Sequence, residues 1–371
     1  MFNSYYDVGG QRFANIFQAF DKSIENGQFC YYKTDADWID QIQSIKVESD
    51  INHLHLKQIY AKKLKELRQQ HNKLVLLYTG GTDSHTILDT AIKNKIYIDE
   101  VFMSFPGIFE AESDKILNKE YNVALEFVKK NVPHNVGKIK FYKWTYENYD
   151  YLDSKEWWKN PEKCQFNIIK VQPCWAQYAA DYYKDLDGIV ISGHEKPGIR
   201  FINDKFYWFV TDGSSTEHKI IKKSFPFFLD PTIVVNYAYA VKNLLQNHLH
   251  YFSKIDDRYD FFWKLPKAEI ENFYRSLALV FLNKESIDFT IKPKWGTIHN
   301  YKNQGILKQI KDSNQNDILE KIHKLHHDIY TQYSQHEHMV QTDGKFTKTV
   351  ERYSQMFEFT NNTLICRGHD V

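Results

Sequence analysis

The sequence predicts an α/β fold: a doubly wound, mostly parallel sheet with helices on both faces, a small N-terminal cap and a mainly helical C-terminal region. Two observations carry this expectation. Between residues 74 and 192, short apolar runs alternate with stretches whose apolar residues recur at helical spacing, the pattern of a parallel α/β sheet. Several of those apolar runs also end in small polar residues, where sheets of this class take their ligands.

Residues 1–70 read as the cap and a lead-in helix. Val8-Gly-Gly10 is a turn, and Phe13, Ile16, Phe17 and Phe20 then share one helical face. Asn26-Gly27 turns into a short strand, Gln28–Tyr32. From His53 to about Gln70 an amphipathic helix uses Leu56, Ile59, Tyr60, Leu64 and Leu67 as its apolar face.

Residues 71–225 read as the central α/β domain. Leu74–Tyr78 is a buried strand, Thr79–Ser84 a tight polar loop, and Ile87, Leu88, Ala91 and Ile92 mark a helix. Glu100–Phe105 is the second strand, so the unit is a βαβ crossover with parallel strands. A charged amphipathic helix over 113–131 leads to a third strand, Lys138–Trp144. A helix containing Trp175, Tyr178, Ala179 and Tyr182 then precedes a fourth strand, Ile189–Ser192. Residues 199–210 read as a hairpin turning at Asn203-Asp204. Beyond a boundary near 225, Ile233, Val234, Tyr237, Val241, Leu244 and Leu245 open the helical region 226–371.

Composition narrows the function classes. Lys and Arg total 48 against 47 for Asp and Glu, so no global field draws the chain to nucleic acid or an anionic membrane, although a local basic patch would still admit nucleic acid. With 25 Tyr and 26 Phe the chain is far too aromatic for disorder. Cys30, Cys164, Cys174 and Cys366 are widely spaced and make neither a zinc set nor a disulfide framework. The first residues lack the blocks of a signal peptide, and no apolar run is long enough to span a membrane. A cytoplasmic protein is expected, monomeric or oligomeric.

The loop after the first central strand carries the chemistry. Glycines let the backbone approach an anion, loop amides point at it, and a helix N-terminus adds partial positive charge. Ser104, Ser192 and Gly193, with Glu195 just beyond, lie at or past other strand ends and converge on the same edge.

Thr79-Gly-Gly-Thr-Asp-Ser84 resembles the Ser-Gly-Gly-x-Asp-Ser pyrophosphate loop of the PP-loop ATP pyrophosphatases, the adenine nucleotide alpha hydrolase-like superfamily. That group includes asparagine synthetase, argininosuccinate synthetase, NAD and GMP synthetases and tRNA-sulfur transferases. Thr79 replaces a serine and keeps the hydroxyl. No Walker A sequence occurs: Gly193-His-Glu-Lys-Pro-Gly198 has the glycine spacing, but Ile199 and Arg200 follow it. Ile191-Ser-Gly-His-Glu195 is similar to an acidic Ser-Gly-x-Gly loop of the synthetase domain of asparagine synthetase. Phe225-Pro-Phe-Phe-Leu-Asp-Pro-Thr-Ile-Val-Val235 resembles that enzyme's Arg-x-Pro-Phe-Leu-Asp segment. The acidic loop lacks the Gly-Ala-Asp-Glu run. Residue 2 is Phe instead of the cysteine that hydrolyses glutamine, and too few residues precede 70 for such a domain. The resemblance spans residues 74–235.

It implies ATP cleavage between the α and β phosphates. A substrate oxygen attacks the α phosphorus, pyrophosphate leaves, and a nitrogen nucleophile displaces AMP. The expected ATP contacts are Thr79, Gly80, Gly81, Thr82, Asp83, Ser84, Ser104, Ser192 and Gly193. Asp83 beside phosphate is counterproductive unless it holds Mg2+ or orients the loop. Asp83 and Glu195 are therefore the expected catalytic acids and magnesium ligands, and Lys196, Arg200, Lys219, Lys222 and Lys223 are candidate phosphate cations. The substrate is an unidentified small molecule or nucleotide. Base modification of a nucleotide or nucleic acid is the alternative activity, and a non-catalytic adenine-nucleotide-binding scaffold is the alternative class. The bland readings are a capped βα turn for 79–84 and a solvated acid for Glu195. His323, His326, His327, His336 and His338 read as a solvated helix face, lacking an acidic or cysteine partner set.

Overall fold

A computed structural model of the chain describes residues 2–48, 50, 51, 53–106, 124–144, 147, 175–193, 198–202, 205–210, 221–246, 311, 314–321, 323, 324 and 354–369. The N-terminal residues form more strand than the sequence suggests. β1 (Ser4–Val8) and β2 (Gln11–Phe13) flank Gly9 and Gly10, whose φ angles are 57° and 89°. A two-residue loop with both φ positive is the hairpin turn that matches strand twist, and only glycine adopts it without strain. α1 (Ile16–Asn26) starts where the Asn15 side chain accepts the amides of Phe17 and Gln18, and ends at Gly27 in the left-handed conformation. β3 (Cys30–Thr34) pairs with β1, and α2 (Ala36–Ser44) follows.

α3 (His53–Gln70) delivers the chain into a five-stranded parallel sheet. Its strands are β4 (Leu74–Leu77), β5 (Ile98–Pro106), β6 (Val136–Trp144), β7 (Ile189–Ser192) and β10 (Ser224–Pro226), in the order β10-β7-β4-β5-β6. α4 (Thr82–Lys93), α5 (residues 124–130) and α6 (Trp175–Tyr182) lie between these strands in sequence. The fold is α/β. The chain lays down β4, steps outward through β5 and β6, then crosses back to place β7 on the other side of β4. The strand order therefore reverses between β4 and β7. Leu77 is in register with both Phe102 and Ser192, so the carboxyl ends of β4 and β7 are level.

β4 is buried along its whole length, as a central parallel strand must be. Alternation divides its side chains. Leu74, Leu76 and Tyr78 join a cluster with Leu56, Tyr60, Leu64 and Leu67 of α3 and with Ile87, Leu88 and Ala91 of α4. Val75 and Leu77 join Phe102, Tyr142 and Val190 in a second cluster with Ala179 of α6 and the adjoining Tyr183.

A four-stranded antiparallel sheet follows, ordered β12-β11-β9-β8. β8 (Gly198–Ile202) and β9 (Lys205–Phe209) are the expected hairpin. β11 (Met356–Phe359) and β12 (Leu364–Gly368) come from the far end of the chain, and Phe357 is in register with Trp208. Helix was expected over most of 226–371. α7 (Pro231–Gln246) fits that, but most of the region lies outside the described residues, and Met356–Phe359 and Leu364–Gly368 are strands. The reason is tertiary: Phe357 is fully buried against Trp208 and Trp38. β10 also spans the 225/226 boundary, so the central sheet takes its fifth strand across it. The cap shares the main core as well. Phe2 and Trp38 belong to the cluster that includes β4, and the Trp38 indole donates to the Leu229 carbonyl at 2.9 Å. Among the described residues no helix is long and apolar enough to cross a membrane.

Candidate functional site

The loop leaving β4 is held by its own side chains. Gly80 sits at φ 74°, in the left-handed region, and Gly81 returns to extended backbone at the N-cap of α4. The Thr79 hydroxyl accepts the Gly81 amide at 3.2 Å, and the Thr79 amide donates to the Ser84 hydroxyl at 3.2 Å. Ser84 donates to the Gly81 carbonyl at 3.3 Å, and the His85 amide donates to that same carbonyl at 2.9 Å. Thr79 and Ser84 thus brace the turn from inside. No side chain caps α4, because glycine occupies the capping position. Backbone amides in the first turn of a helix, at the positive end of its dipole, favour an anion.

β7 completes the crevice. A Cβ built on Gly193 would lie 2.9 Å from the Ser84 amide nitrogen and 3.0 Å from Ile87 Cδ1. Any side chain there would push the strand end off the first turn of α4. Ser192, beside it, is fully buried, and its hydroxyl has no hydrogen-bond partner among the described residues. A buried hydroxyl without a partner is rare and asks what it is kept for.

The expected residues are distributed as follows. Thr79, Gly80, Gly81, Thr82, Asp83, Ser84, Ser192 and Gly193 come together at the point where strand order reverses. Ser104 is not the last residue of its strand. β5 runs on to Pro106, and Ser104 pairs with Tyr142 of β6. It stands two positions past the register of Leu77 with Phe102, about 7 Å beyond the end of β4 and level with the loop. Glu195, Lys196 and Lys219 lie outside the described residues, as do the side chain of Arg200 and the histidines at 326, 327, 336 and 338. Lys222 and Lys223 immediately precede β10, so the parallel sheet carries them to its amino edge, away from the loop. Lys223 donates there to the Leu186 carbonyl. Asp230, in the proline- and phenylalanine-rich segment, caps α7 by accepting the amides of Thr232 at 3.1 Å and Ile233 at 3.2 Å, and pairs with Lys63 at 3.1 Å. That segment builds β10 and starts a helix.

Asp83 sits half-buried in the first turn of α4, where its charge suits the helix dipole. Tyr60 of α3, the helix packed on α4, has its hydroxyl pushed well above the ordinary tyrosine range by burial first and by the Asp83 charge second. Sequence reasoning took Tyr60 as one apolar position among five, and no sequence signal distinguishes it. Sequence reasoning also missed the pair formed by the Tyr78 hydroxyl and His85 Nδ1, 3.0 Å apart beneath the loop. Burial and Asp89 hold the Tyr78 proton in place. Among the described residues no group of three or more His, Cys, Asp or Glu side chains is arranged to hold a metal ion. Compared with known protein families and with curated proteins, the chain matches none.

Proposed function

We propose that this chain is a PP-loop ATP pyrophosphatase that adenylates a substrate, releases pyrophosphate and passes the activated group to a nitrogen nucleophile, as an asparagine synthetase-like ligase does. One observation carries the reading: a Gly-Gly-Thr-Asp-Ser turn opens an uncapped helix at the reversal of strand order, with Gly193 packed against its first turn. That crevice is where sheets of this class bind ligands.

The chain fits a triphosphate in three respects. Gly80 and Gly81 present backbone with no Cβ in the way, the helix N-terminus offers amides and positive dipole, and the Ser192 hydroxyl lacks a partner among the described residues. Mg2+ needs only one or two carboxylates when phosphate oxygens complete its shell, so Asp83 satisfies the minimum, with Glu195 as the second acid. When bound, the ion would neutralise charge on the leaving pyrophosphate. Backbone amides at the N-terminus of α4 hold the pyrophosphate in line, and Ser104 and Ser192 flank the nucleotide on either side of β4. The doubly wound layout, with helices on both faces, is supported by the division of β4 side chains between two helix-containing clusters. A mainly helical 226–371 and a cytoplasmic location belong to the same reading.

The test is to incubate the protein with α-labelled ATP, Mg2+ and panels of carboxylate, amide and nucleoside acceptors. AMP and pyrophosphate are expected. ADP and phosphate as products would overturn the mechanism. Nucleotide binding with no turnover on any acceptor would leave the scaffold reading in its place, and turnover confined to nucleosides or nucleic acid would favour base modification.

A further inference from the structure

We propose that Tyr78 and His85 are positioning residues for the loop: the hydrogen bond between their side chains ties the end of β4 to the first turn of α4. It holds the backbone of residues 79–84 in its anion-binding shape before any ligand arrives. The inference rests on the reading of those residues as a phosphate site.

The pair brackets the loop. Tyr78 is the last residue before it and His85 the first after it, and the phenol oxygen stands 3.0 Å from His85 Nδ1. Each partner is fixed from its own side. The Tyr78 amide donates to the Phe102 carbonyl of β5 at 2.9 Å, so its backbone extends the sheet. The His85 amide donates to the Gly81 carbonyl at 2.9 Å as part of α4, and its ring meets Phe127 of α5 edge-on, with centres 4.6 Å apart. Both side chains are 1% exposed. One buried side-chain bond thus joins sheet to helix, outside the braces that Thr79 and Ser84 make within the turn.

The chemistry explains why a polar pair suits this position. Tyr78 belongs to an apolar cluster with Leu76, Ile87 and Leu88, which Phe127 adjoins. Phenylalanine and leucine would fill the space of the pair, and replacing both partners of a buried hydrogen bond by apolar groups costs little. What apolar contact lacks is direction. Direction matters here because Gly193 leaves no slack. A Cβ on that residue would lie 2.9 Å from the Ser84 amide nitrogen and 3.0 Å from Ser84 Cα. Tying residue 78 to residue 85 also removes freedom from the chain between them. A cradle ordered in advance gives up less entropy when an anion binds, and its amides need no reorganisation.

The experiment compares two variants of the full chain in urea unfolding and in titrations with Mg2+–pyrophosphate and Mg2+–ATP. Tyr78→Phe combined with His85→Leu removes both polar partners. It should unfold close to the wild-type urea concentration and bind both probes about tenfold more weakly. His85→Asn keeps a polar atom at the place of Nδ1 and gives up the packing on Phe127. It should unfold at lower urea and still bind both probes within about twofold of wild type. Affinity and stability therefore move in opposite orders, which a merely structural pair would not produce. Wild-type affinity in the double variant, or His85→Asn binding as weakly as that variant, would overturn the inference. If the double variant does not fold, Tyr78→Phe alone decides: about a fivefold loss of affinity is expected, and no loss overturns the inference. A wild-type protein that binds neither probe overturns the phosphate reading and this inference with it, whereas equal binding by wild type and double variant overturns the inference alone.

Discussion

The two edges of the parallel sheet are built from the same strands and are treated in opposite ways. At the amino edge polar groups are paired off. Arg68 donates to Asp99 and to the carbonyls of His71 and Asn72, and the second Asp99 bond comes from the Leu74 amide at 2.7 Å. Asn72 donates to Asp187 at 2.7 Å, and the Ile189 amide to the Lys73 carbonyl at 2.9 Å. The backbones there are so close that a Cβ on Gly188 would lie 2.3 Å from the Lys73 oxygen. At the carboxyl edge α4 starts at a glycine with no side-chain cap, and the Ser192 hydroxyl has no partner among the described residues. Ser224, at the start of β10, is the exception at the amino edge. An edge that satisfies itself holds the fold together, and an edge that does not has room for a guest.

Glycine substitutions test that contrast most severely. Gly193→Ala should cut ATP binding and pyrophosphate release about a hundredfold or more, because the added methyl displaces the strand end from the Ser84 amide. Gly188→Ala should instead cost roughly 1–3 kcal/mol in urea unfolding and leave turnover per folded molecule unchanged. If both variants lose activity at full stability, the edges do not differ in kind. Asp83→Asn should slow AMP formation about ten- to a hundredfold while lowering stability by only about 0.3–1 kcal/mol, the value of a charge at a helix N-terminus. For Arg68→Ala the signature reverses: a loss of about 1.5–3 kcal/mol in the free energy of urea unfolding, with ATP kinetics intact. Ser192→Ala should raise stability by about 1 kcal/mol and weaken ATP binding about five- to tenfold, and a stability loss would show that the hydroxyl is structural. The smallest effect belongs to the antiparallel sheet, away from both edges. Hydrogen bonds from Lys205 and Arg367 hold the Glu358 carboxyl below its ordinary range. Its contribution is therefore present above that range and lost as pH falls through it. Glu358→Gln should flatten the acid limb of the stability–pH curve by about 0.2–1 kcal/mol, as suits a pair near the surface.

Sequence reading reached the elements whose signal is local. β7 was expected over Ile189–Ser192 and is found there, and α3, the β4–α4 unit and the 198–209 hairpin were equally legible. Each carries its own period, turn or apolar run. β5 and β6 were found but read short, because Asp99 and Gly137 interrupt the apolar pattern and cut off the buried Ile98 and Val136. β10 was taken for the approach to a helix. Ser-Phe-Pro has no period, and its proline is tolerated because β10 is an edge strand beside β7. β11 and β12 depend on pairing with a hairpin far upstream, which no window of sequence reports. Of the site, the loop and its partners Ser192 and Gly193 were visible in the strand-end residues. The partnerless Tyr60 hydroxyl was not, because an apolar helix stripe looks the same whether or not a tyrosine in it finds a hydrogen-bond partner among the described residues.

The pairing of Phe357 with Trp208 has a consequence for how the protein is made. At roughly 5–20 residues per second, a ribosome that has finished β9 needs on the order of ten to thirty seconds to deliver β11. The parallel sheet has all five of its strands by Pro226 and can close early. The antiparallel sheet cannot. Throughout that interval β9 offers an unpaired flank and two indoles, Trp38 and Trp208, still lack the phenylalanine that seals them. The nascent chain is thus adhesive at a place that ends up fully buried.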